Sequence, residues 1–112
     1  MTALREDVNI ASEFSVTPGP RKRSEADFSG QQFLEDLLRP RFLVARKNGA
    51  ILHVNLDGAA GYPTSFLEEA FGGLAREFGS SKVLASLEIV CNDEPYLLDD
   101  ILRYIRDAAG RS

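Results

Sequence analysis

The chain has 112 residues, 44% of them apolar and 27% charged, which suits a single folded domain and excludes wholesale disorder. A net charge of -4 and a pI near 5.0 would repel a phosphate backbone, so DNA or RNA is not expected as the main ligand unless basic residues gather in a patch. One cysteine (Cys91) and one histidine (His53) cannot make an internal disulfide or a four-ligand zinc site, and no metal or cofactor is expected. The segment Met1-Thr2-Ala3-Leu4-Arg5-Glu6-Asp7 has no apolar h-region, and no later run approaches the ~20 apolar residues of a membrane span. A cytoplasmic protein with no membrane contact is the expectation.

From Val8 to Val16 the apolar residues Val8, Ile10, Phe14 and Val16 mostly alternate with polar ones, predicting a half-buried strand or short hairpin. Thr17-Pro18-Gly19-Pro20 stops any ladder, and residues 17–28 read as a polar loop. Ser29 and Gln32 have capping-box spacing ahead of the stripe Phe33, Leu34, Leu37 and Leu38, so a helix starts at about Gly30. Pro40 predicts either a kinked continuation through Phe42 and Ala45 or a second short helix, and Asn48-Gly49 ends it.

Ile51 to Leu56 reads as a buried central strand ending at Asp57-Gly58, with Leu52, Val54 and Leu56 on one face. Ile51, His53 and Asn55 take the other face, which predicts helices mainly on one side of the sheet. Ser65 and Glu68 have the spacing of a second capping box, leading a helix through Phe66, Leu67, Ala70, Phe71, Leu74 and Phe78 to Gly79. Gly72-Gly73 inside it predicts a close backbone approach to the sheet. Leu87, Ile89 and Cys91 alternate in a third strand. Asn92 or Asp93 then caps a last helix, with Pro95 in its first turn, buried by Leu97, Leu98, Ile101, Leu102 and Ile105 and ended by Gly110. The order β, loop, α, β, α, β, α favours parallel strands and one domain over 1–112, frayed at 1–6 and 107–112.

Catalytic patterns are absent from the sequence: it carries no phosphate-cradling glycine motif, and His53 and Cys91 have no companions at nucleophile spacing. His53 reads as a strand histidine and Cys91 as small apolar filler, so no enzyme is expected. The pairs Glu68-Glu69 and Asp93-Glu94 suit helix N-termini. Arg21-Lys22-Arg23, with Arg39 and Arg41, is either a solvated loop and helix face or a patch for an acidic protein or a phosphate. The loop Asp57-Gly58-Ala59-Ala60-Gly61-Tyr62-Pro63-Thr64-Ser65 leaves the central strand where open α/β sheets bind ligands. It is either an ordinary helix start or a site whose free N–H groups accept a phosphate or a partner's carboxylate.

The run Val54-Asn55-Leu56-Asp57-Gly58 through Gly61-Tyr62-Pro63-Thr64-Ser65-Phe66-Leu67-Glu68-Glu69-Ala70-Phe71-Gly72-Gly73-Leu74 resembles the signature of the bacterial and archaeal STAS-like family of unknown function. So do Asn9-Ile10-Ala11, Glu13-Phe14-Ser15, Pro18-Gly19-Pro20-Arg21 and Ser29-Gly30 upstream, and Leu87-Glu88-Ile89 and Asp93-Glu94 downstream. The resemblance implies an α/β STAS-like domain, a small mixed sheet with helices mainly on one side. It also implies a relationship to anti-sigma factor antagonists, which bind histidine-kinase-like ATPases and are switched by phosphorylation. Thr64 would match the phosphoacceptor and Ser65 its neighbour, although the Asp and Gly of the antagonists' Asp-Ser-Ser-Gly motif are missing here. The expectation is a non-enzymatic regulatory module that binds a histidine-kinase-like ATPase or other signalling protein. Its expected surface is Asp57, Gly58, Gly61, Tyr62, Pro63, Thr64, Ser65, Glu68 and Glu69, with a homodimer possible. The alternatives are a small-ligand or nucleotide sensor using the same helix start, and a nucleic-acid accessory protein using the basic residues.

Overall fold

The computed structural model describes residues 6–109. Strands β1 (Glu6–Asn9), β2 (Leu52–Asn55) and β3 (Leu87–Val90) form one sheet in the order β1-β2-β3, with both pairings parallel. The resemblance implied a mixed sheet. Here each connection is a helical crossover that returns the chain to the start of the next strand, which makes the pairing parallel. Two right-handed crossovers stepping the same way lie on one face of a sheet. Burial agrees with that arrangement: Val8, Leu52 and Val54 are fully buried and Leu56 nearly so, whereas on the opposite face Asp7 and Glu88 are exposed and His53 and Asn55 half-buried.

The expected strand from Val8 to Val16 is corrected. β1 stops at Asn9, and α1 (Ile10–Glu13) is a single helical turn. Asn9 Oδ1 accepts from the Ser12 N–H at 3.0 Å, and Glu13 Oε2 accepts from the Asn9 N–H at 2.9 Å. These local bonds satisfy donors that a ladder would otherwise use, and they outweigh the alternating apolar pattern. Val16 ends up exposed.

Helix α2 covers residues 30–47, with Ser29 accepting from the Gln32 N–H at 3.0 Å as a cap should. The Gln32 side chain bonds the Phe28 N–H, one residue ahead of the position a capping box requires. Pro40 neither breaks nor divides this helix. A widened π turn at Leu34–Leu38 precedes it, with the Arg39 N–H donating five residues back to Leu34, and α-helix resumes over Arg39–Lys47. The wider turn relieves the clash that a proline ring makes with the carbonyl four residues before it. Gly49 then takes the positive φ of 68° that stops the helix.

Helix α3 covers residues 64–78 and begins earlier than its expected cap. Pro63 occupies the N-cap position, and its carbonyl accepts from the Phe66 and Leu67 N–H groups at 3.1 and 3.3 Å, so Ser65 lies inside the first turn. The expected Ser65–Glu68 box is therefore not formed. Neither glycine approaches the sheet as expected: a Cβ on Gly72 would meet the Glu68 carboxylate of its own helix at 2.7 Å. A Cβ on Gly73 would lie 2.7 Å from Leu34 Cδ2 in α2, so the close approach is between helices and not to the sheet. Gly79, at φ 94°, ends α3 and leads directly into α4 (Ser80–Ser86), a helix the sequence pattern did not announce.

Helix α5 (Tyr96–Ala109) buries Leu97, Ile101, Ile105 and Ala108, while Leu98 lies at the surface and Leu102 is half-buried. Asn92 and Asp93 bond to Asp57 and do not cap this helix. Gly110 and most of the expected frayed ends lie outside the described residues. The helices cover the sheet with a continuous apolar core in which Phe33 stacks on Phe66 at 5.8 Å and Phe42 meets Phe78 at 5.1 Å.

Candidate functional site

The loop after β2 is fastened at three points. Asp57 Oδ1 accepts from the Asp93 N–H at 2.8 Å, Asp57 Oδ2 accepts from Asn92 Nδ2 at 3.1 Å, and Asp93 Oδ2 accepts from the Gly58 N–H at 3.0 Å. These reciprocal bonds tie the carboxyl end of β2 to that of β3. Farther along, the Ala60 N–H donates to the Val16 carbonyl at 2.7 Å, and the Tyr62 hydroxyl donates to the Leu56 carbonyl at 2.7 Å. Burial, reinforced by the charges of Asp57, Glu94 and Asp93, pushes the Tyr62 hydroxyl far above its usual range, so it stays a donor. Gly58 has φ 96°, a conformation that L side chains rarely adopt.

This pinned loop delivers Thr64 and Ser65 to the first turn of α3. Thr64 is exposed and Ser65 half-buried, and neither hydroxyl is engaged by another described residue. Gly58, Gly61, Tyr62 and Pro63 lie on the same rim at the carboxyl end of the sheet. Glu68 and Glu69, expected to share it, are instead committed elsewhere. Arg21 bonds both carboxylates, the Arg76 guanidinium reaches Glu68 at 2.7 Å, and Lys22 reaches Glu69 at 3.1 Å. Glu69 is only 9% exposed. Burial alone would raise the Glu68 carboxyl, but the hydrogen bonds and charges of Arg21 and Arg76 outweigh it and hold the group below the usual carboxylate range.

The same ion pairs account for the basic cluster. Arg21 and Lys22 face Glu68 and Glu69, Arg23 bridges Glu35 and Asp36, Arg39 meets Glu77, and Arg41 meets Glu13. These cations form internal pairs across the surface and not an open patch for phosphates. His53 Nε2 lies 2.8 Å from Glu88 Oε1 on the half-open sheet face, with Nδ1 buried and without a hydrogen-bond partner among the described residues. Cys91 is buried, and that burial, with the Asp57 charge, holds its thiol above the usual range and therefore protonated. His53 and Cys91 lie on opposite faces of the sheet, as their alternation predicts.

Two concave regions lie apart from Thr64. One, of ≈ 630 Å³, is lined by Arg21, Lys22, Glu68, Glu69, Arg76 and Tyr104, and the other, of ≈ 380 Å³, runs beside β3. The residues that the sequence reading missed are Asn92 and Asp93, which hold the loop. Asn92 and Asp93 read as helix caps, and Asp93 also as part of the family resemblance, but neither signal points to Asp57, because a bond spanning 35 or 36 residues leaves no trace in local spacing.

Residues 29–97 match the family described as a STAS-like domain of unknown function (DUF4325). The chain belongs to that family, and its small sheet with a one-sided helical layer is the STAS-like α/β architecture expected from the resemblance, with an all-parallel sheet in place of the mixed one. No curated protein and no solved structure matches the chain. Among the described residues no helix is long and apolar enough to cross a membrane, and no cluster of three metal-ligating side chains is present.

Proposed function

We propose that this chain is a non-enzymatic regulatory module that binds a signalling protein, of the histidine-kinase-like ATPase type or another regulator, through the rim from Asp57 to Ser65. The observation that carries the reading is the combination of a fastened loop with two unengaged hydroxyls. A loop held by Asp57, Asn92, Asp93 and Tyr62 loses little conformational entropy on binding, and Thr64 stands exposed at its end. Phosphate on Thr64 or Ser65 would add about -1.5 to -2 charges at the positive end of the α3 dipole without displacing any internal bond.

The expected partner surface shrinks accordingly. Asp57 acts by holding the loop, Gly58, Gly61, Tyr62, Pro63, Thr64 and Ser65 supply the contact, and Glu68 and Glu69 serve the ion-paired loop of residues 17–28. Capture of the partner on immobilised wild type, Thr64→Glu and Glu68→Gln chains tests this division. Partner recovery should fall with Thr64→Glu and persist with Glu68→Gln, and the reverse order would move the contact to the basic loop.

A further inference from the structure

We propose that the chain also pairs with a second copy of itself along the outer edge of β3. The two edges of the sheet are treated differently. At β1 two outward peptide groups are occupied: Arg41 Nη1 donates to the Asp7 carbonyl at 2.9 Å, Glu13 Oε2 accepts from the Asn9 N–H at 2.9 Å, and Arg41 and Glu13 are themselves ion-paired at 2.7 Å. This guard closes that edge to another strand.

Among the described residues no side chain bonds the outward peptide groups of β3. The Leu56 N–H donates to the Val90 carbonyl, so the Val90 and Glu88 peptides face β2, and those of Leu87, Ile89 and Cys91 face outward by alternation. Leu87–Val90 contains no lysine, arginine or proline. Beside the strand lies the ≈ 380 Å³ groove, lined by Glu88, Ile89, Val90, Cys91, Pro95 and Leu98 among others, with Leu98 36% exposed.

A second copy fits because the strand is self-complementary in one antiparallel register. With the two-fold axis at Ile89, the two Ile89 residues exchange both peptide hydrogen bonds, as the hydrogen-bonded pair of an antiparallel ladder does. Leu87 then faces the partner's Cys91 on the helix-covered side, and Glu88 faces the partner's Val90 on the open side. A slip that centres the pair on Glu88 would set two carboxylates against each other, so charge disfavours that slip. The result is an isologous dimer with one continuous six-stranded sheet.

Sedimentation velocity over a concentration series, on the full chain and on variants of the open-face pair, tests the proposal. Val90 is half-buried on the open face, so a charge there leaves the core intact, which thermal unfolding by circular dichroism checks. Val90→Glu should weaken the dimer about tenfold and Val90→Lys should tighten it by about the same factor, since each substitution acts twice across the two-fold axis. The double variant Glu88→Lys/Val90→Glu should return to within about threefold of wild type. A chain monomeric up to about 1 mM, or a dimer whose affinity neither Val90 variant moves, would overturn it. The first result would leave the edge to a strand from another protein, and the second would place the dimer contact on a different face.

Discussion

At Asp57 one carboxylate accepts from two donors on the far side of the sheet end, so its loss leaves the Asp93 N–H and the Asn92 amide without their partner. Asp57→Ala should destabilise the domain by about 1 to 3 kcal/mol and loosen the loop, which thermal unfolding and amide hydrogen exchange of residues 58–62 would register. Ser65 is the opposite case. Because Pro63 occupies the N-cap, Ser65→Ala should change stability by less than about 0.5 kcal/mol, and a loss near the ~1 kcal/mol of a true cap would restore the capping role. Thr64 and Ser65 could be singled out from the sequence because a loop that follows a central strand and precedes an apolar stripe is a local pattern. The bonds from Asn92 and Asp93 could not, since nothing near residue 57 encodes a partner 35 or 36 residues away.

Among the elements, α3 and β2 were the most legible, because each carries an unbroken periodicity of its own: Phe66, Leu67, Ala70, Phe71 and Leu74 are all buried, as are Leu52, Val54 and Leu56. Phe71 is fully buried, and Phe71→Ala should cost about 3 to 5 kcal/mol in chemical denaturation. The α2–α3 contact gives a less obvious prediction. Alanine is the better helix former by about 1 kcal/mol, yet a Cβ at Gly30 would sit 2.6 Å from the Phe66 carbonyl oxygen, a backbone atom with little room to move. Gly30→Ala should therefore destabilise by about 1 to 3 kcal/mol, and a stabilised variant would show that the two helices can separate freely. The misread elements are short. In α1 one asparagine cap overrides the alternation of Val8, Ile10 and Phe14, and α4 buries only Val83 and Ser86, too few positions for a period. At Pro40 the first of the two expected readings, continuation, holds, but the π turn that permits it is a tertiary accommodation with no composition of its own.

Across the whole molecule, charge is used to hold the polar loop down: Arg21 and Lys22 on Glu68 and Glu69, and Arg23 on Glu35 and Asp36, fasten residues 17–28 to both long helices. The Glu68 carboxyl titrates below the ordinary value of 4.5 in the fold, so its contribution to stability is complete above that pH and is lost as pH falls through the lower folded value. Arg21→Gln removes part of that downward pull, and its melting temperature should fall less than the wild type's between pH 5 and pH 3. An equal or steeper acid loss would show that the strap is not electrostatically held. With Glu68 and Glu69 engaged in this strap, the contact proposed above is confined to the rim at Thr64. Calorimetric titration of the captured partner with wild type, Thr64→Glu and Ser65→Glu, each with its thermal unfolding curve, measures that rim alone. The expected result is affinity at least about tenfold weaker in the Glu variants, or 1.4 kcal/mol, at a near-normal melting temperature. Unchanged affinity in both variants would contradict the assignment of this rim and turn the search to the loop around Arg21.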